Sequence, residues 1–295
     1  MKYPYVKRLP RFEYLSPNTV DEALSMLSRH NGEARPLAGG TDLLLRMKRR
    51  EEVFRYLVGL KNIPGLDNIE YDDAQGLRFG PLVTIHTMET SQIVREKFPV
   101  LSQAASTIGS LQIRNLGTVV GNACNALPSA DMIPGLIVLG ARVKIAKMGG
   151  EKTIAIEDFI TGPGQTVLAQ DELVIEVQVP CLPPHSRSVY IKHAPREAMD
   201  LAIISVATLI TLDGGICSEV KICLGTVGPI QIRARKAEAI LRGKPFSPEL
   251  VTEASEMACE EAQPRSSVRS SAEYRKEMVR ILTARALNRA KEEIE

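Results

Sequence analysis

The stretch that most constrains this chain is Gln112-Ile-Arg-Asn-Leu-Gly-Thr-Val-Val-Gly-Asn-Ala-Cys-Asn-Ala-Leu-Pro-Ser-Ala-Asp131. It is poor in charge and rich in glycine, asparagine and hydroxyl side chains, with no amphipathic period of an ordinary helix or strand. Such composition reads as a loop whose backbone approaches a polar ligand closely. Gly117 and Gly121 lack a Cβ, and Asn122 and Asn125 bring short donors and acceptors. The apolar run from Met132 to Leu139 follows at once. With Asp131 as N-cap, Pro134 takes the third helical position, where its missing N–H is no loss. The free N–H groups of that helix start then face the loop, a setting for an anion. A bland surface loop accounts for the glycines but not for so many small polar residues beside apolar ones.

At 295 residues the chain is long enough for two domains. Its 44% hydrophobic and 24% charged residues are those of a soluble globular protein. A net charge of +2 argues against a nucleic-acid groove, and Lys48-Arg49-Arg50 reads as a solvated helix end. No apolar run is long enough for a membrane span, and Met1-Lys-Tyr-Pro-Tyr-Val6 lacks a signal-peptide core. A cytoplasmic protein is expected. Cys124, Cys181, Cys217, Cys223 and Cys259 are scattered without metal spacing, and the four histidines are equally dispersed. Any electron-transfer centre is then an organic cofactor or lies on another chain.

Thr19-Val-Asp-Glu22 reads as a capping box opening a helix that stops near His30-Asn31-Gly32. Arg35-Pro-Leu-Ala-Gly-Gly-Thr-Asp42 then gives a short strand, a tight glycine turn and a helix start, an arrangement that aims backbone N–H groups at a phosphate. It matches neither a Walker A loop nor the G-x-G-x-x-G fingerprint, and Gly39-Gly40 alone could be a plain strand-to-helix turn. Strands are expected at 57–60 and within 77–85, one helix over 88–98, another from Pro99, and a hairpin of 142–146 with 152–156. Residues 172–180 alternate as a strand. Pro183-Pro184 is a linker signal, so a boundary is placed between 178 and 179. Strands at 188–194, 202–212 and 219–224 precede helices at 235–241, 249–262 and 272–293, the last with Tyr274, Met278, Ile281 and Arg285 as its stripe, widened by Leu282 and Leu287. Strands followed by helices suggest an α+β sheet backed by a helical layer.

Two motifs carry a resemblance. Ala38-Gly-Gly-Thr-Asp-Leu-Leu44, followed by Met47-Lys48, resembles the first FAD-binding loop of the flavoprotein subunits of molybdenum hydroxylases. Gln112-Ile-Arg-Asn-Leu-Gly-Thr118-x-x-Gly121-Asn122, with Ala126-x-Pro128-x-x-Asp131, resembles the second. That family includes the medium subunits of bacterial carbon monoxide dehydrogenase and xanthine dehydrogenase. Tyr190-x-Lys192, Arg196 and Asp200 resemble the start of its C-terminal domain. Val120 stands where the family usually has glycine, and there is no inserted four-cysteine segment.

The resemblance implies a two-part FAD-binding domain of vanillyl-alcohol-oxidase-like type over 1–178, with parts at about 1–58 and 59–178. A C-terminal α+β domain over 179–295 follows. It implies that Pro36, Leu37, Ala38, Gly39, Gly40, Thr41, Asp42 and Leu43 form the pyrophosphate loop. Thr118, Gly121, Asn122, Asn125 and Asp131 would take the other side of the cofactor. Leu173 and Val174 would touch the flavin, with Lys192 near its edge and Tyr190 close by. The implied role is an FAD-binding electron-transfer subunit, partnered by a molybdenum-cofactor large subunit and a small subunit with two [2Fe-2S] clusters. A standalone FAD-dependent oxidoreductase of the same fold, or a scaffold without FAD, are the alternatives. Lys192 could instead be a surface lysine, Arg196–Asp200 an exposed ion pair, and Arg114 a lock on the loop.

Overall fold

Thr19 opens the first helix as its spacing requires. Its Oγ1 accepts the Glu22 N–H at 3.1 Å, and the Glu22 carboxylate accepts the Asn18 N–H at 2.8 Å. In the computed structural model, which describes residues 8–294, this helix is α1 (Val20–Arg29), preceded by β1 (Glu13–Leu15). The Met1–Val6 segment lies outside the described residues. β2 (Ala34–Leu37), α2 (Leu43–Arg49) and β3 (Tyr56–Gly59) follow, and the three strands form a parallel sheet of order β1-β3-β2. Ala23, Leu24 and Leu27 of α1 are buried against it.

β4 (Ile69–Asp72) and β5 (Gly76–Phe79) begin a second sheet. A strand at 69–72 was not expected. It is an edge strand whose residues alternate between half-buried and exposed, too polar to stand out. The single helix expected over 88–98 is two, α3 (Ile85–Thr90) and α4 (Gln92–Lys97), because Ser91 leaves the helical region at ψ 123°. α5 (Pro99–Ser106) starts on its proline.

The 112–131 stretch is not the irregular loop expected. It contains α6 (Leu111–Arg114) and α7 (Val119–Asn125) and leads into α8 (Met132–Val138). Two local caps explain these short helices: Ser110 Oγ accepts from Ile113 N at 3.4 Å, and Thr118 Oγ1 from Gly121 N at 2.9 Å. β6 (Arg142–Lys147) and β7 (Gly150–Ala155) form the expected hairpin. β8 (Ile160–Gly162) and β9 (Gln165–Thr166) pair with each other, and β10 (Leu173–Val179) completes the antiparallel sheet β4-β5-β10-β6-β7. Helices α3 to α8 lie over this sheet around one apolar core.

A third, antiparallel sheet has the order β11 (Ser186–His193), β12 (Ile204–Asp213), β13 (Ile216–Gly225), β14 (Ile232–Arg233). Its helices are α9 (Arg235–Leu241), α10 (Pro248–Glu261) and α11 (Ala272–Glu292). β12 is buried from Ile204 to Leu212 because both of its faces are covered. Ala207 and Leu209 join the core of the preceding helices, whereas Val206 and Ile210 join that of α9 to α11. Leu282 and Leu287 of the expected α11 stripe are buried, but the rest of it is turned by one residue, toward Arg275, Val279 and Ala286. Tyr274 is 46% exposed and Arg275 is buried, donating to the carbonyls of Ile203 (2.6 Å) and Thr226 (3.1 Å). Two fixed carbonyls bury a charged side chain that side-chain class alone places outside.

Candidate functional site

Leu37 ends β2, and its carbonyl accepts the N–H of Leu60 at 3.0 Å, so the chain leaves the parallel sheet at a fixed point. Gly40 turns at φ +73°, a conformation side chains rarely adopt, and its carbonyl accepts from Leu44 to begin α2. The N–H groups of Thr41, Asp42 and Leu43 have no acceptor among the described residues. They are the unpaired donors of a helix start.

The second loop is built against the first. A Cβ on Gly39 would fall 2.0 Å from the Leu116 carbonyl oxygen and 2.9 Å from Gly117 Cα. A Cβ on Gly121 would meet Thr118 Oγ1 at 2.8 Å. Gly39 thus makes room for the other loop and Gly121 for the cap of its own helix, and both also line the cavity described below. Backbone bonds from Ile85 N to Gly117 O (2.9 Å) and from Val119 N to Val83 O (3.1 Å) fix the second loop to the segment at 83–85. Arg114 is the lock: its guanidinium reaches Glu89 at 2.8 and 3.4 Å and the Ile108 carbonyl at 3.1 Å, and it does not line the cavity described below.

Each asparagine commits its carbonyl to the chain. Asn122 Oδ1 accepts from Met132 N at 3.3 Å, and Asn125 Oδ1 from Arg46 Nη1 at 3.5 Å. Their NH₂ groups have no acceptor among the described residues, and both residues line the cavity. These NH₂ groups are donors left available to a ligand.

Asp131 does not cap α8 with its side chain; it has helical backbone angles and its carboxylate turns away. Oδ1 accepts the Tyr190 hydroxyl at 2.6 Å, and Oδ2 accepts Lys192 Nζ at 2.9 Å, both from β11. Lys192 also donates to the Thr107 carbonyl at 3.0 Å, and its side chain is only 6% exposed, so it is no surface lysine. Burial pushes the Asp131 carboxyl above its ordinary value, against the pull of Lys192 and Tyr190. Burial and the Asp131 charge push the Tyr190 hydroxyl well up.

These elements enclose a cavity of about 620 Å³. Pro36 to Leu43, Thr118, Gly121, Asn122, Asn125, Asp131, Leu173 and Val174 all line it; Tyr190 and Lys192 do not, standing behind Asp131. The walls that sequence reasoning missed come from distant segments: Arg46 and Glu52, Leu168 to Gln170, and Met199, Leu201 and Arg269. Only the glycine content of the first loop could have drawn attention to Arg46, four residues on. Arg196 and Asp200 also line the cavity as an exposed ion pair at 3.1 Å. The Cys124 thiol, also in the wall, is pushed up to about 12 by burial despite Arg35, so it stays protonated and is a poor nucleophile. No group of metal-ligating side chains occurs among the described residues, and none of their helices is long and apolar enough to cross a membrane.

The arrangement suits an elongated ligand with an anionic middle. Neutral donors from two loops converge, and apolar wall is supplied by Leu43, Ile85, Ile108, Ile113, Leu173 and Val174. Glu52, Glu172 and Asp200 are each paired with a cation, and burial pushes the Asp42 carboxyl above its ordinary value against the pull of Arg46, which disfavours its charged form.

Comparison with known proteins agrees with this geometry. Residues 10–182 match the family model of the FAD binding domain in molybdopterin dehydrogenase, and 189–290 that of the CO dehydrogenase flavoprotein C-terminal domain. The chain is 32% identical to the xanthine dehydrogenase FAD-binding subunit of Escherichia coli O157:H7, over 92% of this chain and 93% of that one. It is 33% identical to the glyceraldehyde dehydrogenase medium chain of Sulfolobus acidocaldarius, over 94% and 97%. The solved carbon monoxide dehydrogenase of Hydrogenophaga pseudoflava contains a chain that superposes with a TM-score of 0.92 at 31% identity, covering 96% of this chain and 98% of that one.

Proposed function

The chain belongs to the FAD-binding medium subunits of the molybdenum hydroxylase family, of carbon monoxide and xanthine dehydrogenase type, and on that premise we propose that it is the electron outlet of such a complex. It is an oxidoreductase subunit and its cofactor is FAD. Electrons would come from [2Fe-2S] clusters on a small partner subunit, after substrate oxidation at a molybdenum cofactor on a large one. They would leave through FAD to a terminal acceptor. When bound, FAD supplies the redox chemistry; this chain supplies its position, its surroundings and exclusion of water.

The observation that carries the reading is the set of unpaired donors that the two loops bring to one cavity. The N–H groups of Thr41 to Leu43 and the NH₂ groups of Asn122 and Asn125 fit the two phosphates of FAD, which accept and never donate. Leu173 and Val174 offer apolar wall to the ring system. Nothing among the described residues supplies a metal centre or an iron–sulfur relay, so this chain's own groups bind and orient. Its five free thiols suit a reducing compartment, and we place the complex in the cytoplasm.

The test is reconstitution. The isolated chain should bind FAD stoichiometrically and be reduced by dithionite, without turning over hydroxylase substrates. Adding the molybdenum and iron–sulfur subunits should give substrate-dependent flavin bleaching. Steady turnover of an organic substrate by the single chain would instead establish a standalone flavoenzyme.

A further inference from the structure

We propose that Lys192 and Tyr190 act on the cofactor site through Asp131, as positioning residues by which the C-terminal sheet keeps that carboxylate ionised. This rests on the reading that FAD occupies the cavity, and it concerns a buried carboxylate in the cavity wall.

Asp131 is 6% exposed and lines the cavity at the end of the second loop. An ionised carboxylate buried in this way is costly unless it is paired and hydrogen-bonded. Both needs are met from β11 alone: Tyr190 donates to Oδ1 at 2.6 Å and Lys192 to Oδ2 at 2.9 Å. Around this pair, Thr107, the C-cap residue of α5, contributes its carbonyl to Lys192, and Thr107 and Ser205 of β12 face the Tyr190 hydroxyl. Among the described residues, Lys192 and Tyr190 are the titratable groups that bear on Asp131. Neither lines the cavity, so their contact with a ligand there runs through the carboxylate.

A carboxylate has about four acceptor positions, and these two bonds use one on each oxygen. The remaining positions can meet only a donor: a hydroxyl of the ribityl or ribose chain or the imide N–H of FAD, never a phosphate oxygen. Without Lys192 the buried group would take up a proton at a higher pH, and the strong acceptor would be lost.

The experiment measures the FAD dissociation constant by flavin fluorescence across about pH 6 to 9 for the full chain and four variants. The wild type should be nearly flat. Lys192→Met should weaken as pH falls, approaching about tenfold per pH unit below its new midpoint. Tyr190→Phe should move the same way by less. Asp131→Asn should bind weakly with no pH dependence, and Asp131→Asn/Lys192→Met should match it. A flat Lys192→Met profile, or a double variant weaker than Asp131→Asn by the full Lys192→Met factor, overturns the proposal. If Lys192→Met does not fold, Tyr190→Phe decides in the same way. Failure of the wild type to bind FAD overturns the functional reading itself and this inference with it.

Discussion

The Leu116 carbonyl oxygen sits where a side chain on Gly39 would begin, 2.0 Å from the ideal Cβ position. The two glycine loops therefore touch backbone to backbone at this position. Gly39→Ala should force them apart, at an overpacking cost of about 1–3 kcal/mol. Melting temperature and FAD affinity should fall together. Gly150→Ala, where a Cβ meets nothing within 4 Å, should change neither. A Gly39→Ala protein of native melting temperature and full flavin content would show that the loops can separate freely.

Asn125→Asp keeps an acceptor for Arg46 Nη1, now 3.5 Å from the amide oxygen, but replaces the free NH₂ by an anionic oxygen. The fold should be unharmed. FAD binding should weaken by about tenfold or more, equal to about 1.4 kcal/mol, and the loss should shrink as salt is added. Titration of FAD at two ionic strengths reads both effects. Native affinity in this variant would mean that the amide does not face the pyrophosphate.

Arg114 and Glu89 make a two-point contact at 2.8 and 3.4 Å with side chains 16% and 18% exposed. Arg114→Ala should destabilise the chain by about 1.5–3 kcal/mol, as loss of a charged hydrogen bond does. A denaturant double-mutant cycle with Glu89→Gln should recover a coupling of about 1 kcal/mol. Unchanged stability with weakened FAD binding would mean that Arg114 touches the cofactor directly.

Glu172 gives a pH dependence with a definite sign. Burial pushes its carboxyl up, but the Lys152 ammonium at 2.6 Å, the Ala169 N–H at 3.0 Å and Lys147 together hold it below its ordinary value of 4.5. A carboxyl lowered on folding stabilises the protein above its unfolded value, and that stability is lost as pH falls through the folded one. Melting temperature should accordingly drop as the medium is acidified below about pH 4.5, and Glu172→Gln should flatten that part of the profile. Because Glu172 anchors the cavity wall at 168–172, the same variant should bind FAD less tightly at neutral pH. An acid limb identical in wild type and variant would remove Glu172 from the account.

What the sequence by itself determined is what neighbours along the chain decide. The capping box at Thr19, the glycine turn at Gly40, the hairpin of β6 with β7 and the limits of α9 to α11 were all legible, because caps, turns and periodicity act within a few residues. Both segments that wall the cavity stood out in the sequence by composition, although the second holds short capped helices and not the irregular loop expected. The tertiary structure alone decided what lies opposite them: that Gly39 meets Leu116, that Asp131 turns from its own helix to Tyr190 and Lys192, and that Met199 and Arg269 help to close the cavity. Periodicity shows that a side chain has an inward face, but not which distant segment covers it. Lys192, on an alternating strand, becomes a buried partner of Asp131 only because the two are brought together across 61 residues of chain.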